Sequence, residues 1–348
     1  MRISRIDLLT ALEVLEPALA VKPIVEELTF IWFTGTSVYA YNDVIGIVSP
    51  LETEFQGGMK GSLILGMLEK SRAKEVEFVQ SNTNDLLIKA ANARLNLAYY
   101  EIDRSLWEIP DFERSISFEV TPELLKAIDD VMISIGQDTS IPDQLGITLI
   151  PDGNILYLFS TDSKTISRAM IPFQCKFQNR IILPATFCQQ FVRLFKNGGR
   201  MMVMRDSVLA ENDKGLRLFT RLIETSRPLE FHETVDSVLS SMNVAKHVPI
   251  PKRLKLAIER IAIVLEHHIG EPAEFKIADN VLHMHANTAL GDIKDSMRLD
   301  MEHVNAELMV DPLLVKRALN GSGSFYLTPS CVVLSSENFT HLISASER

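Results

Sequence analysis

The chain has 348 residues, 46% of them hydrophobic and 23% charged, with a formal net charge of -10. That length holds two or three domains with sizeable cores, and the modest, scattered Gly and Pro exclude a collagenous or disordered tract. The acidic balance argues against a chain coated in nucleic acid, although net charge does not report a local basic face.

No apolar run approaches the roughly 18 to 20 residues that span a bilayer. The first residues carry charges without a signal-peptide apolar region, so a cytoplasmic protein is expected. Cys175, Cys188 and Cys331 match neither a disulfide framework nor a metal spacing, and read as small buried thiols.

In chain order, one pattern recurs three times. Each copy opens on a helix-period segment, at residues 5–15, 122–135 and 251–265. In the third, Leu254, Ile258, Ile261 and Leu265 fall on one face. Pro122 and Pro251 suit the first helical turn, where a missing N–H costs little. Each copy then has a strand, a turn and a strand, with turns at Asn42-Asp43, Thr161-Asp162 and Asn287-Thr288.

A second helix follows at 60–72, 184–196 and 312–319. Asp311 is the expected cap of the last, and Gly198-Gly199 and Gly321 are expected stops. Each copy closes on a strand pair: 85–90 with 93–99, 207–211 with 215–222, and 331–335 with 339–343. The expected domains are 1–115, 116–243 and 244–348, with the polar stretch 240–247 as a linker. The fold class is α+β: three repeated domains of two helices and antiparallel sheets.

Chemistry in this frame is sparse. Thr161-Asp162-Ser163-Lys164 gathers a carboxylate, hydroxyls and an amine, but its siblings lack the Ser and Lys, so it reads first as a turn. His283 and His285 alternate on one strand face, with His267-His268, Asp279 and Asp292 in the same repeat. Two alternating histidines without a fixed third ligand are weak evidence for a metal, and no metal site is expected. Ser163 and Cys188 lack a placed His-Asp partner, which leaves no catalytic residue. Asn320–Gly323 lacks the Lys and following helix of a phosphate loop.

Four segments carry a resemblance across the whole chain. "VKPIVEELTF" follows the opening helix, and "LFSTDSKTISRAMIPF" resembles the strand-turn-strand "ATDGHRLA". "RLIETSRPLEF" closes the second repeat, and "RLKLAIERIAIVL" opens the third. In order and spacing they resemble the bacterial DNA sliding clamps, the DNA polymerase III beta subunit family, in a divergent form that would fit a virus-encoded or otherwise specialised clamp.

The resemblance implies a head-to-tail homodimeric ring around double-stranded DNA that tethers a polymerase, with helices inside and sheets outside. It needs no cofactor, and a ring that slides needs sequence-independent phosphate contacts inside. Lys22, Lys70, Arg72, Lys74, Arg193, Lys196, Lys252, Lys255, Lys316 and Arg317 are the expected DNA-facing groups. Leu95, Leu97, Ile263 and Val264 are the expected dimer interface. Thr161, Lys164, Thr165, Ile166, Pro228, Cys331, Leu342 and Ile343 are the expected wall of a pocket for short peptide motifs of polymerase and clamp loader.

Departures fall on that pocket. Ser163-Lys164 replaces Gly-His, and Pro228 stands one place early relative to Phe231. Ser344-Ala345-Ser346-Glu347-Arg348 replaces Met-Pro-Met-Arg-Leu. The alternative is a clamp-fold scaffold that does not encircle DNA, favoured by the acidic groups Asp7, Glu13, Asp129 and Asp130 on the opening helices.

Overall fold

The computed structural model describes residues 1–80, 85–101, 111–241, 249–265, 271–299, 305–319, 323–328 and 330–346. The first stretch of chain forms β1 (Arg2–Ser4), α1 (Arg5–Glu13), β2 (Phe30–Phe33), β3 (Ser37–Tyr41), β4 (Ile45–Pro50), β5 (Gly57–Lys60), α2 (Gly61–Lys70), β6 (Glu75–Gln80), β7 (Asp85–Ala90) and β8 (Ala93–Ala98). Next come β9 (Ile116–Glu119), α3 (Pro122–Val131), β10 (Gly146–Asp152), β11 (Ile155–Thr161), β12 (Thr165–Pro172), β13 (Ile181–Pro184), α4 (Ala185–Leu194), β14 (Arg200–Val203), β15 (Ser207–Glu211), β16 (Arg217–Arg221) and α5 (Phe231–Ser241). The last are α6 (Leu254–Ala262), β17 (Ala273–Ala278), β18 (Val281–Thr288), β19 (Gly291–Arg298), β20 (Ala306–Val310), α7 (Pro312–Ala318), β21 (Ser324–Leu327), β22 (Cys331–Ser335) and β23 (Phe339–Ser344).

The chain divides into two compact units. Unit 1 is Met1–Leu125 with Thr186–Leu222, and unit 2 is Lys126–Ala185 with Ile223–Arg348. Unit 1 holds an eight-stranded sheet, ordered β5-β2-β3-β4-β16-β15-β14-β9, and a four-stranded sheet β1-β6-β7-β8. Unit 2 holds a seven-stranded sheet, β13-β10-β11-β12-β23-β22-β21, and a four-stranded sheet β19-β18-β17-β20.

The two large sheets are built alike. In each, a strand that follows a turn pairs antiparallel with the last strand of a later hairpin. In unit 1 β4 pairs with β16, with Ile45 opposite Thr220 and Ile47 opposite Leu218. In unit 2 β12 pairs with β23, with Thr165 opposite Ile343 and Ser167 opposite His341. These side chains point inward and are buried, so each seam is also a core. In the small sheets the corresponding strands β8 and β19 are end strands, each paired on one side only among the described residues.

The first two turns share one device, while the third is a correction: Asn287 and Thr288 are the last residues of β18, opposite Asp292 and Gly291, and the turn falls at Ala289-Leu290. Asn42 Oδ1 accepts from the backbone N–H of Val44 (3.1 Å) and Ile45 (2.9 Å), while Asp43 takes φ 72°. Asp162 Oδ1 accepts from the N–H of Lys164 (3.0 Å) and Thr165 (2.7 Å), while Ser163 takes φ 71°. A short side-chain acceptor two residues back satisfies the exposed donors and steers the next residue into the left-handed region. Asp162 is therefore spent on holding a turn.

The expected helices form, with shorter ends. The Asp311 carboxylate caps α7 through the Leu313 N–H at 2.8 Å, and Gly198 (φ 89°) closes the turn that follows α4, its N–H donating to the Phe195 carbonyl. Pro251 is a correction: α6 begins at Leu254, whose N–H donates to the Pro251 carbonyl, so the proline stands ahead of the helix. α5 is another correction: no helix was expected there, and its last residues, Ser240 and Ser241, fall in the stretch expected as a linker. Gly321, most of 240–247 and His267-His268 lie outside the described residues.

Candidate functional site

A groove of about 490 Å³ opens on unit 2. Its floor is apolar: Ile166 of β12, Leu342 of β23 and Cys331 of β22. One wall is the turn with Thr161, Ser163 and Lys164, backed by Ile141 and Gln144. The other wall is Leu229 and Glu230 with Phe231, Thr234 and Val238 of α5, and Ser330 and Ser344 close one end.

Strand alternation decides which expected residues reach this groove. Ile166 and Leu342 pair across β12–β23 and share its face. Thr165 and Ile343 are the neighbouring pair and point the other way. Ile343 belongs to the main core of unit 2. The Thr165 hydroxyl donates to Ser134 Oγ at 2.8 Å. These two positions are corrections, as is Pro228, which is exposed and outside the lining. Thr161, Lys164, Ile166, Cys331 and Leu342 do come together.

Sequence reading missed the α5 wall. Its signal is Phe231, Val235, Val238 and Leu239, spaced by three and four. It also missed how the walls are braced. Arg180 pairs with the buried Asp143, next to Gln144, and Arg180 Nη1 donates to the Leu229 carbonyl at 3.3 Å.

Behind the groove runs a buried hydroxyl–imidazole chain. Ser134 Oγ lies 2.8 Å from Ser167 Oγ, which lies 2.8 Å from His341 Nδ1. Burial lowers the His341 pKa to about 4, against the upward pull of Asp162 and with help from Arg317. The folded value lies below the unfolded one, so the unfolded chain binds the extra proton first. Stability is full above about pH 6.5 and falls as the pH drops toward 4. A loss of about 3 kcal/mol is expected across that window. Thermal melts at pH 7 and pH 4.5 measure it, and His341→Asn is expected to flatten the dependence.

The cations sit as follows. In unit 1, Lys22, Lys70, Arg72, Lys74, Arg193 and Lys196 are exposed. Lys22 stands in a loop whose Val21 and Ile24 are also solvent-facing. In unit 2, Lys252 and Lys255 are exposed at the start of α6, with Arg253 between them. Lys316 and Arg317 are engaged locally, with Glu259 at 3.6 Å and the Ile133 carbonyl at 3.1 Å. The exposed surface of α1 remains acidic through Asp7 and Glu13.

Of the expected interface residues, Ile263 is 62% exposed and Leu95 is half-buried. Leu97 is buried under its own sheet, and Val264 packs on the core of unit 2. His285 is occupied by Asp292 (2.9 Å) and Glu274 (3.7 Å). Among the described residues no group of three His, Cys, Asp or Glu is placed to hold a metal. No described helix is long and apolar enough to cross a membrane.

No protein-family model matches the chain, and no curated protein matches it in sequence. Solved structures do match. The beta subunit from DNA polymerase of Streptococcus pyogenes superposes with a TM-score of 0.84 at 16% identity, covering 100% of this chain and 99% of that one. The DNA polymerase sliding clamp of Bacillus subtilis gives 0.85 at 15% identity, covering 100% and 98%. The DNA polymerase III beta subunit of Thermotoga maritima gives 0.83 at 14%, covering 100% and 99%. Over its full length, the chain therefore has the fold of the DNA polymerase III beta subunits.

Proposed function

We propose that this chain is a sliding clamp. Two copies close head to tail into a ring around duplex DNA, and each supplies three clamp domains, residues 1–115, 116–243 and 244–348. The protein is not an enzyme; it acts by topology, holding a polymerase on its template.

One observation carries the reading. Two seams of one design exist within the chain, and the two halves of a third are left as open edges. The hairpins set the correspondence: Ser207 pairs with Arg221, Cys331 with Ser344 and Asp85 with Ala98. One residue in from these ends, Thr220 and Ile343 face the first residues of β4 and β12. The matching residues of the third seam are Leu97 and Gly291, and two residues on Leu95 faces Ile293. Closure between two chains joins β8 of one to β19 of the other.

The helix ends support the same seam. Buried positions 124, 127, 128 and 131 step with 254, 257, 258 and 261, so Ile133 corresponds to Ile263. Ile133 packs on the following core and its carbonyl takes Arg317. Ile263 has no such cover among the described residues and is exposed. Its exposure at a position that is covered in the preceding repeat fits burial against a second chain.

Lys252, Arg253 and Lys255 lie at an α6 N-terminus that has no acidic residue in its first turn. Cations there oppose the helix dipole by about 0.3 to 1 kcal/mol each, so the dipole does not account for them. Phosphates on a sliding duplex do. The groove on unit 2 supplies the second requirement, an apolar slot for short peptide motifs of polymerase and loader.

Light scattering is expected to give twice the 39.1 kDa chain mass. A strictly monomeric species at micromolar concentration contradicts the ring.

A further inference from the structure

α5 sits on the face of the seven-stranded sheet opposite to the main core of unit 2. There Phe231 and Val235 close a small core of their own with Phe159, Cys331, Val333 and Leu342. Phe231 stacks on Phe159, with centroids 5.0 Å apart and planes at 13°, and His232 meets Tyr157 edge-on at 4.6 Å. The groove described above is the part of this apolar face that α5 leaves open, since Phe231, Thr234 and Val238 form its wall.

The polar hold on the helix is unbalanced. Arg168 is 8% exposed and lies under α5, and its Nη1 donates to Asp236 Oδ1 at 2.9 Å. The Asp236 side chain is 63% exposed. Arg168 Nε is buried and has no hydrogen-bond partner. A buried guanidinium has a strong requirement for a carboxylate, and Asp236 on Nη1 cannot reach Nε, which points to the other side of the group; a carboxylate that approached side-on with both oxygens would satisfy Nε and its neighbour Nη2 together. A separate 11-residue helix is also marginal in water without its packing. Lifting α5 opens only the small core, a local event that costs less than unfolding the chain.

We propose that α5 is a placeholder on a larger docking face. A partner-protein segment with apolar anchors and one carboxylate displaces it. The anchors rest on Phe159, Val333 and Leu342, and the carboxylate takes Arg168 through both oxygens. This deepens the docking reading of the groove and rests on it. It also assigns the chain a partner motif distinct from one that fills the open groove alone.

Cys331, 5% exposed on the groove floor beside α5, reports the opening without any ligand. In a Cys175→Ser, Cys188→Ala background it is the sole thiol, and the part of its reaction with dithiobis(nitrobenzoate) that Asp236→Asn accelerates follows lifting of α5. Labelling is expected to outpace global unfolding, and Asp236→Asn is expected to speed it about ten-fold or more. A synthetic peptide of residues 229–241 is expected to bind the Phe231→Ser, Val235→Ser variant, whose own helix is disabled, at least about ten-fold more tightly than it binds the parent. Asn at position 236 of the peptide is expected to weaken that binding. Labelling only at the global unfolding rate, in both the parent background and Asp236→Asn, overturns the proposal. So does a disabled variant with a reactive Cys331 that fails to bind the peptide. Neither readout uses DNA or the dimer mass, so failure here is separable from failure of the ring.

Discussion

Ile263→Asp is expected to yield a folded monomer in place of a dimer. Ile263 is 62% exposed in the single chain, so the substitution disturbs no core of that chain. In the proposed ring the residue is covered at each of two identical seams, as Ile133 is half-buried against the core of unit 2 within the chain. Burying such a side chain contributes about 1.5 to 3 kcal/mol. Two seams therefore lose about 3 to 6 kcal/mol, or roughly a hundred-fold to ten-thousand-fold in the dimer dissociation constant, before the added charge is counted. The chain's melting temperature measured at low concentration should not move. Leu95→Cys together with Ile293→Cys is expected to form disulfides between chains, because the proposed register sets the two directly across. A variant that still dimerises at nanomolar concentration, or cysteines that fail to bridge, would place the interface elsewhere.

Reversing Lys252, Arg253 and Lys255 to Glu should weaken DNA association and lower its salt dependence. Each lost phosphate contact removes about 0.9 from the slope of log K against log salt. With three positions in each of two chains, a fall of roughly 3 to 5 is expected. The same substitutions bring negative charge to the α6 N-terminus, where it is favourable by about 0.3 to 1 kcal/mol per residue. Thermal stability should therefore hold or rise slightly while DNA binding falls. An unchanged slope removes these residues from the DNA path; a drop in melting temperature would show that they serve the fold.

The regular parts of this fold are plain in the sequence because their periodicity is plain. The paired helices carry apolar stripes of three and four, and the first two turns carry Asn or Asp where a left-handed residue follows. Short strands left no such trace. β5 and β13 have four residues each, too few to show alternation. α5 was missed for a different reason: Ser237 among its apolar positions, with Ser240-Ser241 and the polar chain after them, resembles a linker more than a helix.

The groove was half legible. Its turn and floor strands follow from the repeat, but which of two neighbouring residues faces it depends on strand parity. Thr165 and Ile343 fall on the wrong side of a register that only the β12–β23 pairing fixes. The braces Arg168–Asp236 and Arg180–Asp143 span 68 and 37 residues in sequence, a separation that no local pattern encodes. The cations were legible as charges and not as free ones: Lys316 and Arg317 look like their neighbours in sequence, yet they hold Glu259 and the Ile133 carbonyl.

Encirclement is the central claim, and DNA topology tests it most directly. The protein, loaded on a nicked circular duplex and closed through the Leu95→Cys and Ile293→Cys pair, is passed through a sizing column in high salt before and after the circle is cut once. Retention on the circle and complete loss on linearisation are predicted, because a closed ring leaves only over an end. Equal retention on circular and linear DNA, or equal loss from both, contradicts the account.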